Sequence, residues 1–261
     1  MSNAALATEF IKYLVKGRRV CVITGGMGCG KTTLLMSMIK HIPKSLTIRV
    51  EETAFELHLR KYFPEKNIVT FQETEYISGQ EGLDFSKKTD GDVSIIGEVA
   101  TDDVALLAIQ NTQVAFAFAL FTHHANTFEK LIEAFRNSFL KSGTFKDEMI
   151  AERQVVTALN FDIHLVREAG HRYIERITEC IPLTDNGVTN ITYTANEINE
   201  TYPTNKTYTS SKTYTYQNII EYRDGVYTAV NRVSKANEDA MKKNMTAPLR
   251  RQFEEFLTIN F

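Results

Sequence analysis

Nine residues, Gly25-Gly26-Met27-Gly28-Cys29-Gly30-Lys31-Thr32-Thr33, separate the largely apolar run Val20-Cys-Val-Ile-Thr24 from the run Leu34-Leu-Met-Ser-Met-Ile. The first eight fit G-x-x-x-x-G-K-[ST], and the flanks read as a strand before and a helix after. Few folds accept a glycine-rich turn between a buried strand and a helix N-terminus. Glycines let backbone N–H groups wrap closely around phosphates, and the helix end adds partial positive charge. The reading is a nucleotide site. Gly26, Met27, Gly28, Cys29 and Gly30 form its cradle, and Lys31 is the mobile cation for the β- and γ-phosphates. Thr32 offers a hydroxyl to Mg²⁺, and Thr33 lies near the α-phosphate. The competing reading, a glycine turn without ligand, is weakened by the strand-and-helix context. Cys29 has two open readings: a thiol activated by the helix N-terminus, or a small loop residue turned away from ligand.

Around this loop the chain alternates short β-branched or aromatic runs with helical periodicity, the pattern of a parallel sheet with crossover helices. Strands are expected at Val20–Thr24, Leu46–Val50, Asn67–Phe71, Val93–Ile96 and Phe116–Phe121. Helices are expected at Lys31–His41, Thr101–Gln110, Thr127–Leu140 and around Asp147–Asn160, with Thr101 and Thr127 as N-caps. Beyond this, Phe161–Val166, Tyr173–Cys180 and the Thr/Tyr-rich stretch Thr189–Tyr216 read as β-hairpins, with turns at Asp185-Asn186-Gly187 and Asp224-Gly225. A polar helix from about Ser234 closes the chain. The division expected is an α/β core over residues 1–160, a β-rich extension over 161–233 and a C-terminal helix over 234–261.

Hydrolysis needs an acid near the γ-phosphate to orient or deprotonate water. Asp92-Val-Ser-Ile-Ile-Gly-Glu98 supplies one, because an apolar strand ending in Gly97-Glu98 delivers a carboxylate to the edge where open α/β sheets hold ligands. The plainer alternative is a solvated glutamate in a βα loop. The segment Val50-Glu51-Glu52-Thr-Ala-Phe-Glu56-Leu57 brings acids to the same edge, as Phe121-Thr-His123-His124-Ala-Asn126 brings polar groups. Adjacent histidines rarely both ligate a metal, so contact with the γ-phosphate or water is the better reading of this pair.

These four elements, in this order, resemble the ATPases of type II and type IV secretion systems, especially the branch serving Tad pili and conjugation. Asp162-Ile-His-Leu, Arg172-Tyr-Ile-Glu-Arg-Ile-Thr-Glu and Asn218-Ile-Ile-Glu-Tyr extend the resemblance over most of the chain. It implies a RecA-like P-loop core that works as a hexamer on ATP and Mg²⁺ at the cytoplasmic membrane face, beside inner-membrane platform proteins. By position it makes Glu98 the acid that polarises water, with Glu51 or Glu52 assisting and His124 contacting the γ-phosphate region. Mg²⁺ would rest on Thr32, with Glu98 or Glu52 reaching it through water.

Two departures limit what the resemblance transfers. Only about two dozen residues precede the phosphate loop, where relatives carry an arginine-bearing N-terminal domain, so either truncation or a minimal variant is expected. Ala100 stands where relatives often have arginine after Gly-Glu-Val. Slow turnover by the isolated chain follows, and a nucleotide-dependent switch or scaffold is the alternative to a motor. A small-molecule kinase is a weaker third reading, since no acceptor lid is apparent.

Composition narrows the partners. A formal net charge of −2 gives no reason to expect direct nucleic-acid binding. Three widely spaced cysteines suit a reducing, cytoplasmic compartment rather than a disulfide framework. No run has the length of a membrane span, and the N-terminus lacks a signal-peptide pattern. The three Asn-x-Thr triplets at Asn190, Asn199 and Asn205 reflect an Asn/Thr-rich stretch.

Overall fold

The computed structural model describes residues 4–52, 56–72, 74–183, 189–197 and 204–261. The expected turn at Asp185-Asn186-Gly187, residues Thr53-Ala54-Phe55 of the acidic segment and the triplet at Asn199 lie outside these residues.

The first element precedes every strand and helix expected from the sequence. Helix α1 (Ala4–Lys16) buries Leu6, Ala7, Phe10, Ile11, Leu14 and Val15, an i, i+3/i+4 stripe that faces the sheet. There follow β1 (Cys21–Gly25), α2 (Lys31–Lys40), β2 (Ile48–Glu52), the short α3 (Leu59–Tyr62), β3 (Ile68–Gln72), α4 (Gly79–Lys87) and β4 (Val93–Ile96). Next come α5 (Asp102–Val114), β5 (Phe118–His123), α6 (Phe128–Lys141) and α7 (Glu148–Ala158). The side chains of Thr101, Thr127 and Asp147 accept from the backbone N–H groups of Val104, Lys130 and Ile150, so all three act as N-caps.

The second half supplies β6 (Phe161–Glu168), β7 (His171–Pro182), the pair β8 (Thr189–Glu197) and β9 (Thr204–Lys212), then β10 (Tyr214–Arg223) and β11 (Val226–Ala229). Asp224 and Gly225, both at positive φ, make the tight turn between the last two strands. The expected C-terminal helix is two helices, α8 (Lys235–Lys243) and α9 (Ala247–Asn260). Pro248 explains the division: it has no N–H to donate to a continuing helix, but it suits the first turn of a new one.

Among the described residues nine strands form one sheet in the order β11-β10-β7-β6-β1-β5-β4-β2-β3, and β8 pairs only with β9. From β3 to β6 the neighbours run parallel, and β7, β10 and β11 continue antiparallel. Helices cover both faces. On one, the Phe10 ring of α1 meets Phe161 of β6 at 6.0 Å, and on the other Phe135 of α6 meets Phe121 of β5 at 5.8 Å. Central strands are buried along their length, as a doubly covered parallel sheet requires. No helix among the described residues is long and apolar enough to cross a membrane.

Candidate functional site

Strand parity decides which side chains meet. Successive residues of a strand point to opposite faces, so Glu51 and Glu52 cannot share a site once both lie inside β2. The sequence reading ended this strand at Val50; it runs two residues further. Glu52 faces the phosphate loop, where its Oε1 accepts from the N–H groups of Glu56 at 3.1 Å and Leu57 at 2.8 Å. Glu51 faces the other way, against Gly82 of α4, where an added Cβ would lie 2.6 Å from Glu51 Oε2.

The same rule separates the histidines. The expected strand stopped at Phe121, whereas β5 continues through His123. His123 turns toward α6, its ring 5.1 Å from Phe135 and its Nδ1 2.8 Å from the Val99 carbonyl, and burial lowers its pKa. His124 lies on the phosphate-loop side. There Lys31 Nζ donates to the carbonyls of Gly25 and Gly26, each at 3.1 Å, and sits 3.3 Å from His124 Nδ1. His124 Nε2 is 2.8 Å from Glu98 Oε1. Only the neutral ring carrying its proton on Nε2 satisfies both ends, accepting from the ammonium and donating to the carboxylate.

These groups line an open cleft with Met27, Gly28, Thr32, Glu52, Glu56, Leu57, Gly97 and Thr122. Thr122, part of the histidine segment expected at this edge, donates its hydroxyl to the Gly97 carbonyl at 2.6 Å and ties β5 to the turn carrying Glu98. Thr32 and Thr33 are exposed on the first turn of α2, and Met27 is 89% exposed at the loop's tip. Cys29 is 1% exposed, so of its two readings the structure has the inward-facing one. Ala100 lies outside the cleft, in a separate recess with Thr101, Asp102 and His123.

Gly25 has φ +138, and a Cβ there would stand 2.2 Å from the Leu165 carbonyl oxygen. Backbone cannot yield that distance cheaply. Gly25→Ala is expected to cost at least ~3 kcal/mol of stability and to abolish nucleotide-induced stabilisation. Gly26→Ala, with nothing within 4 Å of the added Cβ, is expected to fold like the parent. Thermal unfolding with and without ATP checks the pair; equal behaviour of the two variants would refute this account of the loop.

Behind the loop lies a buried polar cluster that only the fold assembles. Thr24 Oγ1 is 2.6 Å from Asp162 Oδ1 and 2.8 Å from His164 Nδ1. Burial pushes Asp162 up to about 6, against the lowering effect of the Thr24 hydrogen bond. Burial, then the Arg176 charge, pushes His164 down to about 4.

Residues 2–245 match the family model described as type II/IV secretion system protein. The chain belongs to that family. No curated protein sequence matches this secretion-system family member. Among solved structures it is similar to the VirB11 ATPase of the Brucella suis type IV secretion system, at 19% identity and a TM-score of 0.59, over 67% of this chain and 52% of that one. It is also similar to the ATPase DotB of Yersinia pseudotuberculosis, at 15% identity and TM-score 0.52, over 68% and 47%. Legionella pneumophila DotB gives 16% and 0.50, over 69% and 45%. The chain thus spans about half the length of the solved structures it matches, and at these identities the likeness shows a shared RecA-like fold.

Proposed function

We propose that this chain is the ATP-binding and hydrolysing domain of a motor for secretion, pilus assembly or conjugation. In this reading it acts as a ring of copies, a hexamer, at the cytoplasmic membrane face, beside inner-membrane platform proteins, in the Tad-pilus and conjugation-related branch. The observation that carries the reading is the Lys31–His124–Glu98 relay across a phosphate-loop cleft, in a chain of this family.

The residues present fit a magnesium nucleotide. The loop's glycines leave backbone exposed at Gly26 and Gly28, and the first turn of α2 offers the hydroxyls of Thr32 and Thr33. Mg²⁺ would rest on Thr32, with Glu52 or Glu98 reaching it through water, and would supply charge neutralisation for the phosphates. Lys31 is the cation the phosphates would draw from the Gly25 and Gly26 carbonyls. Glu98, oriented by the His124 N–H, is the base for water.

Turnover per chain, measured against protein concentration beside sedimentation, tests the motor. It is expected to rise as copies assemble. A flat, negligible rate with assembled rings and membrane partners present would sink this reading in favour of a switch or scaffold.

A further inference from the structure

Strand β7 reaches both walls of the cleft, from opposite faces of the sheet. Arg172 Nε donates to the Gly28 carbonyl at 2.8 Å, and Arg172 Cδ would lie 3.6 Å from a Cβ on Gly30. Four residues later, an Arg176 terminal nitrogen donates to the carbonyl of Asn126, two residues after His124, at 3.3 Å. In a regular strand residues 172 and 176 would share a face. Here the ladder pairs Leu165 with Ile174 but His164 with Arg176, so Glu175 is a bulge and the parity changes between the two arginines. Arg172 thereby joins the face of Leu165 and the phosphate loop, and Arg176 the face of His164 and the loop after β5.

The ladder itself does not favour Arg172. It stands directly opposite Arg167, and like charges in that relation are destabilising. Arg167 also leans on the loop, its Nη1 3.2 Å from where a Gly28 Cβ would be. The contacts that Arg172 gains are with the loop. Gly28 sits at φ +69, and as a glycine it can readily leave that conformation, so a donor on its carbonyl helps fix where the adjoining Cys29 N–H points.

We propose that Arg172 and Arg176 are positioning residues that clamp the two walls of the nucleotide site to one strand of the antiparallel extension. Arg172 orients the phosphate loop through Gly28, and Arg176 orients the segment bearing His124 through Asn126. The clamp gives the extension a direct mechanical link to nucleotide occupancy, since β7 also carries β10 and β11. This inference rests on the nucleotide reading of the cleft.

The test combines hydrogen exchange with direct ATP titration and turnover on the full chain, comparing Arg172→Ala, Arg172→Lys and Arg176→Ala with the parent. Arg172→Ala is expected to speed amide exchange over residues 25–33 but not 121–127, and to raise the Kd for ATP about tenfold. Arg172→Lys, which keeps a donor, is expected to recover most of that loss. Arg176→Ala is expected to do the reverse, loosening 121–127 and lowering turnover at near-parent Kd. Two variants that loosen the same segments equally, or neither segment, would overturn the clamp. A parent chain that binds no ATP would sink the nucleotide reading instead, and the exchange maps would still decide the clamp.

Discussion

Glu98→Gln is expected to lower ATP turnover by about 10²–10⁴-fold while leaving ATP binding within a few-fold of the parent. The carboxamide has nearly the carboxylate's shape, and its oxygen can still accept from His124 Nε2, which lies 2.8 Å from Glu98 Oε1. What it cannot do is take a proton. Lys31→Ala is the contrasting variant: it removes the ammonium that holds the Gly25 and Gly26 carbonyls and His124, so binding itself is expected to fail. Titration with a fluorescent nucleotide, beside single-turnover hydrolysis, separates the two. If Glu98→Gln lost binding and turnover in parallel, or kept both, Glu98 would not be the base.

The second large effect is on stability against pH, and it comes from the cluster behind the phosphate loop. Asp162 has a folded pKa near 6, above its ordinary 3.8, so protonation favours the folded chain. Its contribution is fully present below about 3.8 and is lost as pH rises through 6. At about 1.4 kcal/mol per unit, the difference across that window is about 3 kcal/mol. His164 runs the other way. Its folded pKa, near 4, lies below the ordinary 6.5, so its contribution is present above 6.5 and is lost as pH falls through 4.

The two windows overlap, and in the parent their slopes offset. Single variants expose them. Asp162→Asn is expected to make stability fall as pH drops from 6.5 to 4, whereas His164→Asn is expected to make it rise over the same range. Urea unfolding at pH 4.5 and 7.5 reads both. Equal pH dependence in parent and variants would show that neither group titrates as its burial implies.

Much of this was legible in the residues because local chemistry wrote it there. The G-x-x-x-x-G-K-T run between a strand and a helix is a local pattern, and each capping Thr and the Asp224-Gly225 turn have short-range causes. The α/β class followed from alternating periods, and the shared fold is that of VirB11 and DotB. Helix α1 is legible too, in the stripe Leu6, Phe10, Ile11 and Leu14 at i, i+3/i+4 spacing.

Other features had no local cause. Whether Glu51 or Glu52 faces the cleft depends on how far β2 runs, and pairing with β3 and β4 carries it through both acids. With a period of two, one residue of strand length reassigns no side chain in sequence but fixes its face in space. The bulge at Glu175 acts likewise: it sets Arg172 and Arg176 on different faces, through a ladder between segments that no spacing rule registers. Sequence by itself determined the glycine-rich loop between β1 and α2, because one short segment holds all its parts. Tertiary structure alone decided which acid, which histidine and which arginines stand around it, because side-chain direction in a sheet is set by pairing with distant strands.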